Sequence, residues 1–292
     1  MMLDSIKGFA TSNFGWVAEK YPELFSTVKE NLSKADMKIN YRTYVSLVIL
    51  ISIISFFSSI LISFIALSII KVDILPRIIY SFFASFLISI TTFLVFIFYP
   101  SQRAERRKRS IEANLPFAIT HMGAIAESGI PPYVVFRLIS KFKEYEEVSR
   151  EMEKIVRNID EFGVDPLTAV KEVANKTPSD SFRQILLGFI TTIEAGGDVK
   201  IFLKSVGEES LFEWRMKREK FNQQLTTISE FYISIIMTAP LFIISLFAVM
   251  NMIQPTLAGL SIFELMKLGI YILVPLINIG FLLFLSGVEV QV

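Results

Sequence analysis

Residues 43–70 read TYVSLVILISIISFFSSILISFIALSII, 28 positions between Arg42 and Lys71 without one charged side chain. A helix that crosses the hydrocarbon core needs about 20 mostly apolar residues at about 1.5 Å of rise each. Three more such runs follow: 25 uncharged positions between Arg77 and Arg103, 33 between Glu230 and Glu264, and 21 between Lys267 and Glu289. Four transmembrane helices are predicted, and the chain reads as an all-α polytopic membrane protein. Composition agrees, since 52% of the 292 residues are hydrophobic and the mean hydropathy of +0.53 is high for a soluble domain.

The same composition removes whole classes of chemistry. There is no cysteine, so disulfides, thiolate metal sites and cysteine nucleophiles are out. A single histidine, His121, leaves the common metal and triad arrangements without parts. No catalytic, cofactor or metal residue is predicted, and the chain reads as a non-enzyme. A net charge of +1 gives no global field to draw in nucleic acid. The stretch Met1–Gly15 lacks the apolar run of a secretory signal, so the first span is expected to anchor the chain uncleaved.

Basic residues set the orientation. Lys7, Lys20, Lys29, Lys34, Lys38 and Arg42 precede span one; Arg103, Arg106, Arg107, Lys108 and Arg109 follow span two; Arg215, Lys217, Arg218 and Lys220 precede span three. The two opposite loops hold only Lys71, Arg77 and Lys267. Expected boundaries follow: a cytoplasmic N-terminal segment over 1–43, a first hairpin over 44–99, a cytoplasmic helical domain over 100–229, a second hairpin over 230–288 and a short cytoplasmic tail over 289–292. The central domain has 20 basic and 19 acidic residues, so its positive clusters are local to the membrane ends. They mark topology, with contact to lipid headgroups as the second reading.

Within the spans, Ser55, Ser59 and Ser63 repeat every four residues, as do Ser81, Ser85 and Ser89. That spacing puts each trio on one helix face, and small residues let helices approach closely in lipid. The two stripes are expected to face each other or a partner helix. No Asp, Glu, Lys or Arg lies inside a span, which speaks against an ion-coupled transporter. Pro240 and Pro275 read as tolerated bends, with transporter-like half-helix breaks as the alternative.

The region from 101 to 229 reads as six helices with short connections, hence a bundle. An apolar stripe over Ile111, Leu115, Ile119, Met122 and Ile125 ends at Ser128-Gly129, a glycine stop. Pro131-Pro132 opens the second helix. A third runs from about Glu146 to Gly163. Asp165-Pro166 starts the fourth as N-cap and first-turn proline, and Thr177-Pro178 starts the fifth. Ala195-Gly196-Gly197 ends it, and Asp198 caps a sixth that runs toward span three. The acidic group Glu144, Glu146, Glu147, Glu151 and Glu153 reads as a solvated helix face, and His121 as a structural residue. Pro22–Leu32 is amphipathic, with Pro22 in its first turn, and suits either the membrane surface or the bundle.

Glu127-Ser128-Gly129-Ile130-Pro131 is echoed by Glu194-Ala195-Gly196-Gly197-Asp198. Each puts a glutamate at a helix C-terminus, where it opposes the macrodipole. Pairing across the bundle or contact with a partner would explain that placement, as would plain solvent exposure. Glu127, Ser128, Gly129, Pro131, Glu194, Gly196, Gly197 and Asp198 are the candidate partner-contact residues.

The order of helix, Glu-Ser-Gly turn, helix, Gly163 with Pro166-Leu167 and Ala169-Val170, then Ile193–Asp198 resembles the F domain of type II secretion systems. Leu32–Met37 before span one is similar to archaeal members. The resemblance implies a membrane platform protein of a type II secretion, type IV pilus, archaellum or Tad-like machine. It implies a hexameric secretion ATPase and pilin subunits as partners, and a homo-oligomer or a pairing with a paralogous platform protein. A small transporter or channel subunit and a signalling protein with a helical module are the competing readings.

Overall fold

The computed structural model describes residues 2–23, 25–69, 73–254, 256–257 and 260–287. The tail expected over 289–292, Lys71 and Pro255 lie outside them. Two compact units divide the chain, Met1–Ser210 and Leu211–Val292. Four helices among the described residues are long and apolar enough to cross a membrane: Tyr41–Ile69, Ile74–Ala126, Val199–Ile253 and Ile262–Leu285.

The first unit opens with α1 (Met2–Lys20) and α2 (Ser26–Lys34), followed by α3 (Tyr41–Ile69) and α4 (Ile74–Ala126). Helix α1 was not foreseen, and α2 starts four residues beyond Pro22, which stands in the turn before it. The first bundle helix is also not separate from span two: α4 runs unbroken for 53 residues with Pro100 and Pro116 inside it. An interior proline removes the bond to the carbonyl four residues back. At Pro100 that carbonyl belongs to Phe96, and the Tyr44 hydroxyl of α3 donates to it at 2.6 Å. The vacated acceptor is filled from the neighbouring helix, and α4 continues.

The bundle consists of the C-terminal part of α4 with α5 (Pro132–Ile139), α6 (Glu147–Asp160), α7 (Pro166–Lys176), α8 (Asp180–Glu194) and the start of α9 (Val199–Phe231). Ile111, Leu115, Ile119 and Met122 of the predicted stripe are buried in its core, with Ile125 half-buried against it, and Phe136, Ile139, Met152, Ile155, Phe182 and Leu186 from the other helices complete it. Burying one such side chain contributes on the order of 1.5–3 kcal/mol. The start and stop signals have visible mechanisms. Asp165 accepts the Thr168 N–H at 3.1 Å, ahead of Pro166. Gly129, Gly163 and Gly196 all take positive φ, at 79°, 64° and 70°. Helix α8 begins at Asp180, later than Thr177-Pro178 suggests, because the Ser179 hydroxyl supplies the cap by accepting the Phe182 N–H at 3.3 Å. Helices α4 and α9 cross at glycines. A Cβ on Gly207 would meet the Thr120 Cα at 3.0 Å, and one on Gly123 would meet the Lys204 Cα at 3.2 Å.

In the second unit the remainder of α9 leads into a π-helical turn, Tyr232–Thr238, and then α10 (Ala239–Ile253). A two-residue ladder pairs Thr256 with Ser261 and Leu257 with Leu260. Helix α11 (Ile262–Leu268), a second π-helical turn (Gly269–Leu273) and α12 (Val274–Gly287) complete it. Each π turn ends two residues before a proline, Pro240 or Pro275. Plain bends are thus replaced by widened turns. A proline ring clashes with the carbonyl four residues back, and an extra residue in the preceding turn relieves the clash. The Thr238 hydroxyl follows the wider register by donating to the Ile233 carbonyl at 2.9 Å, five residues back.

Candidate interaction site at the helix turns

The two echoed turns meet at one end of the bundle. Gly129 and Pro131 from the α4–α5 turn and Gly197, Asp198 and Lys200 from the α8–α9 turn line one open cavity of about 330 Å3. An adjoining groove of about 460 Å3 is mainly apolar, with Tyr133, Phe136, Leu167, Val170, Phe189 and Ile193 on its walls. It brings in a third turn, Asp165-Pro166 at the start of α7, which the sequence reading treated only as a helix start. Tyr133 is 43% exposed and Phe162 is 68% exposed.

Local chemistry explains how these turns are held. Gly197 N–H donates to Thr192 O at 2.8 Å and Gly196 N–H to Ile193 O at 3.0 Å, the paired bonds of a Schellman stop. Asp198 accepts the Lys200 N–H at 2.8 Å and caps α9. Glu127 answers its unfavourable helix end by pairing with Lys204 of α9 at 2.7 Å. The hydrogen bond and charge of Lys204 hold the Glu127 carboxyl below its usual range, and the same contact raises Lys204. Both groups are exposed, so the pair contributes little stability. Glu194 and Ser128 are also exposed.

The serine stripes lie between α3 and α4. Ser59, Ser81 and Ser85 are buried. Ser55 and Thr92 share a hydrogen bond at 3.1 Å, and Ser89 donates to the Ser52 carbonyl at 3.0 Å. In an antiparallel hairpin these bonds set Ser55 level with Ser89, Ser59 with Ser85 and Ser63 with Ser81. The hydroxyls of Ser63 and Ser81 are buried without a partner among the described residues.

The basic residues divide. Arg103, Arg106, Arg109, Arg215, Lys217, Arg218 and Lys220 are exposed, Lys108 is half-buried, and Arg218 lies over the Trp214 ring at 5.5 Å. Arg107 differs from them: it is 6% exposed, its side chain turned into the protein. Its Nε donates to Glu147 at 2.8 Å, and its terminal nitrogens reach Glu151 and the Lys34 carbonyl. Glu147 and Glu151 are therefore not a solvated face, as expected, but the buried partners of Arg107. Burial works to lower the Arg107 pKa, but the bond to Glu147 and the charges of Glu151, Glu147 and Asp36 outweigh it and raise it. The missed signal is spacing: Pro100, Ala104, Arg107, Ile111 and Leu115 form one inward stripe. Lys154 extends the network, bridging Glu151 and Asp36 at 3.0 Å each.

His121 shares a hydrogen bond with the Tyr145 hydroxyl at 3.1 Å and packs edge-on against Phe142. Among the described residues no group of three His, Cys, Asp or Glu side chains could hold a metal ion. The arrangement offers a surface with aromatic, carboxylate and exposed backbone groups, which suits binding another macromolecule.

Comparison with known proteins bears on the same region. An uncharacterized protein of Methanocaldococcus jannaschii is 28% identical over 198 residues, covering 67% of this chain and 33% of that relative. The chain thus spans about a third of that protein's length. No solved structure matches. Residues 118–247 match the family model for protein F of the type II secretion system. The match begins in the last turns of α4, takes in the whole of the α5–α9 bundle and ends within α10, so that part of this multi-pass membrane protein is similar to the type II secretion system F domain.

Proposed function

We propose that the protein is a platform subunit of a type II secretion or type IV pilus-like machine in the cell membrane. In this reading the bundle and both termini face the cytoplasm, as the exposed basic residues beside the spans suggest. The bundle receives work from a hexameric secretion ATPase, and the spans act on pilin subunits as they leave the bilayer. No step of bond-making chemistry is assigned to the chain itself.

The observation that carries the ATPase contact is the convergence of the α4–α5 and α8–α9 turns, joined by the start of α7, on one groove. Three turns at one end of a bundle form a surface that a partner can engage without disturbing the core. The Glu127→Lys plus Glu194→Lys variant reverses charge on both turns at exposed positions. Co-purification of the ATPase with the full-length protein should fall at least tenfold, with thermal unfolding unchanged. Undiminished co-purification would remove these turns from the contact.

A further inference from the structure

We propose that the hairpin of α3 and α4 binds a water molecule between Ser63 and Ser81, toward the end where α3 gives way to α4. A stripe of small residues by itself means only close packing. What sets this layer apart is that both of its hydroxyls are orphaned. The Oγ atoms of Ser63 and Ser81 are buried and have no partner among the described residues, and Ser81 as a whole is 2% exposed.

The rest of the seam shows what a hydroxyl does here when it has a choice. Ser52 donates to the Val48 carbonyl at 2.8 Å, Ser85 to the Ser81 carbonyl at 2.7 Å and Ser59 to the Phe56 carbonyl at 3.0 Å, the usual back-bond to the preceding turn. Ser55 and Ser89 reach across the hairpin instead, to Thr92 and to the Ser52 carbonyl. Ser63 and Ser81 do neither, although each has a helix carbonyl one turn back, at Ser59 and Arg77. The register fixed by the cross-hairpin bonds puts Ser63 level with Ser81, so the two orphans share one layer of the interface. Arg77 follows one turn farther along the Ser81 face, with its guanidinium 5.5 Å over the Phe64 ring.

A hydroxyl left unpaired away from water is costly, and inside a bilayer no bulk solvent repairs it. A buried polar atom that lacks a protein partner is served by ordered water. Water fits because each serine hydroxyl both donates and accepts. One molecule bonds to both and keeps capacity for the second lone pair of a helix carbonyl such as that of Ser59, which reaches the two to four bonds such waters make. A lipid headgroup cannot reach a side chain so fully covered. A metal cation finds no carboxylate in α3, or in α4 before Glu105. The water extends the polar joint between the helices one layer beyond Ser59 and Ser85.

The absence of native cysteine makes the test direct, because a single S–H group absorbs in an infrared region clear of other protein bands. Ser81→Cys is prepared in the full chain and reconstituted in phosphatidylcholine–phosphatidylglycerol vesicles, with Ser85→Cys as the reference for a side chain bonded to its own helix. The expected Ser81→Cys band lies at a hydrogen-bonded frequency and converts to S–D in heavy water. Adding Ser63→Ala should move it toward the unbonded frequency and leave the Ser85→Cys band in place. Thermal unfolding supplies a second readout: Ser63→Ala and Ser81→Ala should each lower the midpoint, and the double variant should lower it little further than either. An unbonded band, or a bonded one indifferent to Ser63→Ala, would overturn the proposal. So would a responsive band that never exchanges, which would mean a direct bond between the two side chains, or one that shifts when gluconate replaces chloride, which would mean an anion. Midpoints that rise in both single alanine variants would equally defeat it, since the hydroxyls would then have no partner to lose.

Discussion

Arg107 illustrates what one residue must satisfy when a charge leaves water. A buried guanidinium is tolerable only when its donors are occupied, and here two carboxylates and a helix-end carbonyl occupy them. Removing the arginine leaves Glu147 and Glu151 buried with their strongest partner gone. Arg107→Ala should cost about 3–5 kcal/mol, seen as a large drop in the thermal unfolding midpoint in detergent. Arg107→Lys should recover only part of it, since an ammonium lacks the planar fork that reaches several acceptors at once. Equal stability of Arg107→Ala and the parent would mean the network contributes nothing. At this scale the glycine stops were legible, because positive φ at 129, 163 and 196 needs the residue type found there. Asp36 was not: it takes φ 52° with an ordinary side chain. Its Schellman bonds, Met37 N–H to Leu32 O and Asp36 N–H to Ser33 O at 3.1 Å each, leave no mark in the residue types.

Among the elements, helix existence was easier to read than helix continuity. Charge-free runs and 3.6-residue stripes located α3 to α10, but the boundary drawn between 99 and 100 divided α4, which runs on through Pro100. Whether a proline ends a helix depends on who serves the orphaned carbonyl, and that partner lies 52 residues away in sequence at Tyr44. Tyr44→Phe should leave the Phe96 carbonyl without a donor and cost about 1–3 kcal/mol. In a Pro100→Ala background the backbone N–H returns, so the same Tyr44→Phe change should cost little. Thermal unfolding of the four proteins of this cycle measures the coupling. Equal Tyr44→Phe costs in both backgrounds would sink the account. Helix α1 escaped the sequence reading for a related reason. Its apolar residues are spread over two faces, one packed on α3 and one exposed, so no single stripe announces a helix. The π turns were equally hidden, since the prolines at 240 and 275 mark a disturbance and not its form.

For the whole molecule, the legible part was the alternation of long apolar runs with a charge-balanced helical domain, because bilayer thickness imposes its length on the sequence. The candidate partner surface was half legible: both glycine turns were identifiable, yet their convergence with the start of α7 arises only in the packed bundle. If the F domain passes work to the membrane, the connection between them must resist bending. Helix α9 spans Val199–Phe231 with no proline and no glycine after Gly207, so every backbone bond that stiffens it can form. A glycine- and serine-rich insertion of seven residues after Gln223 introduces a flexible joint without altering either end. Seven alanines at the same place keep the helix and shift its register by only about 20°. The first variant should insert in the membrane normally but lose filament assembly or secretion, while the second retains a substantial share of it. Normal assembly by the flexible variant would show that α9 is a tether, and loss in both would mean that spacing, and not stiffness, is what the machine requires.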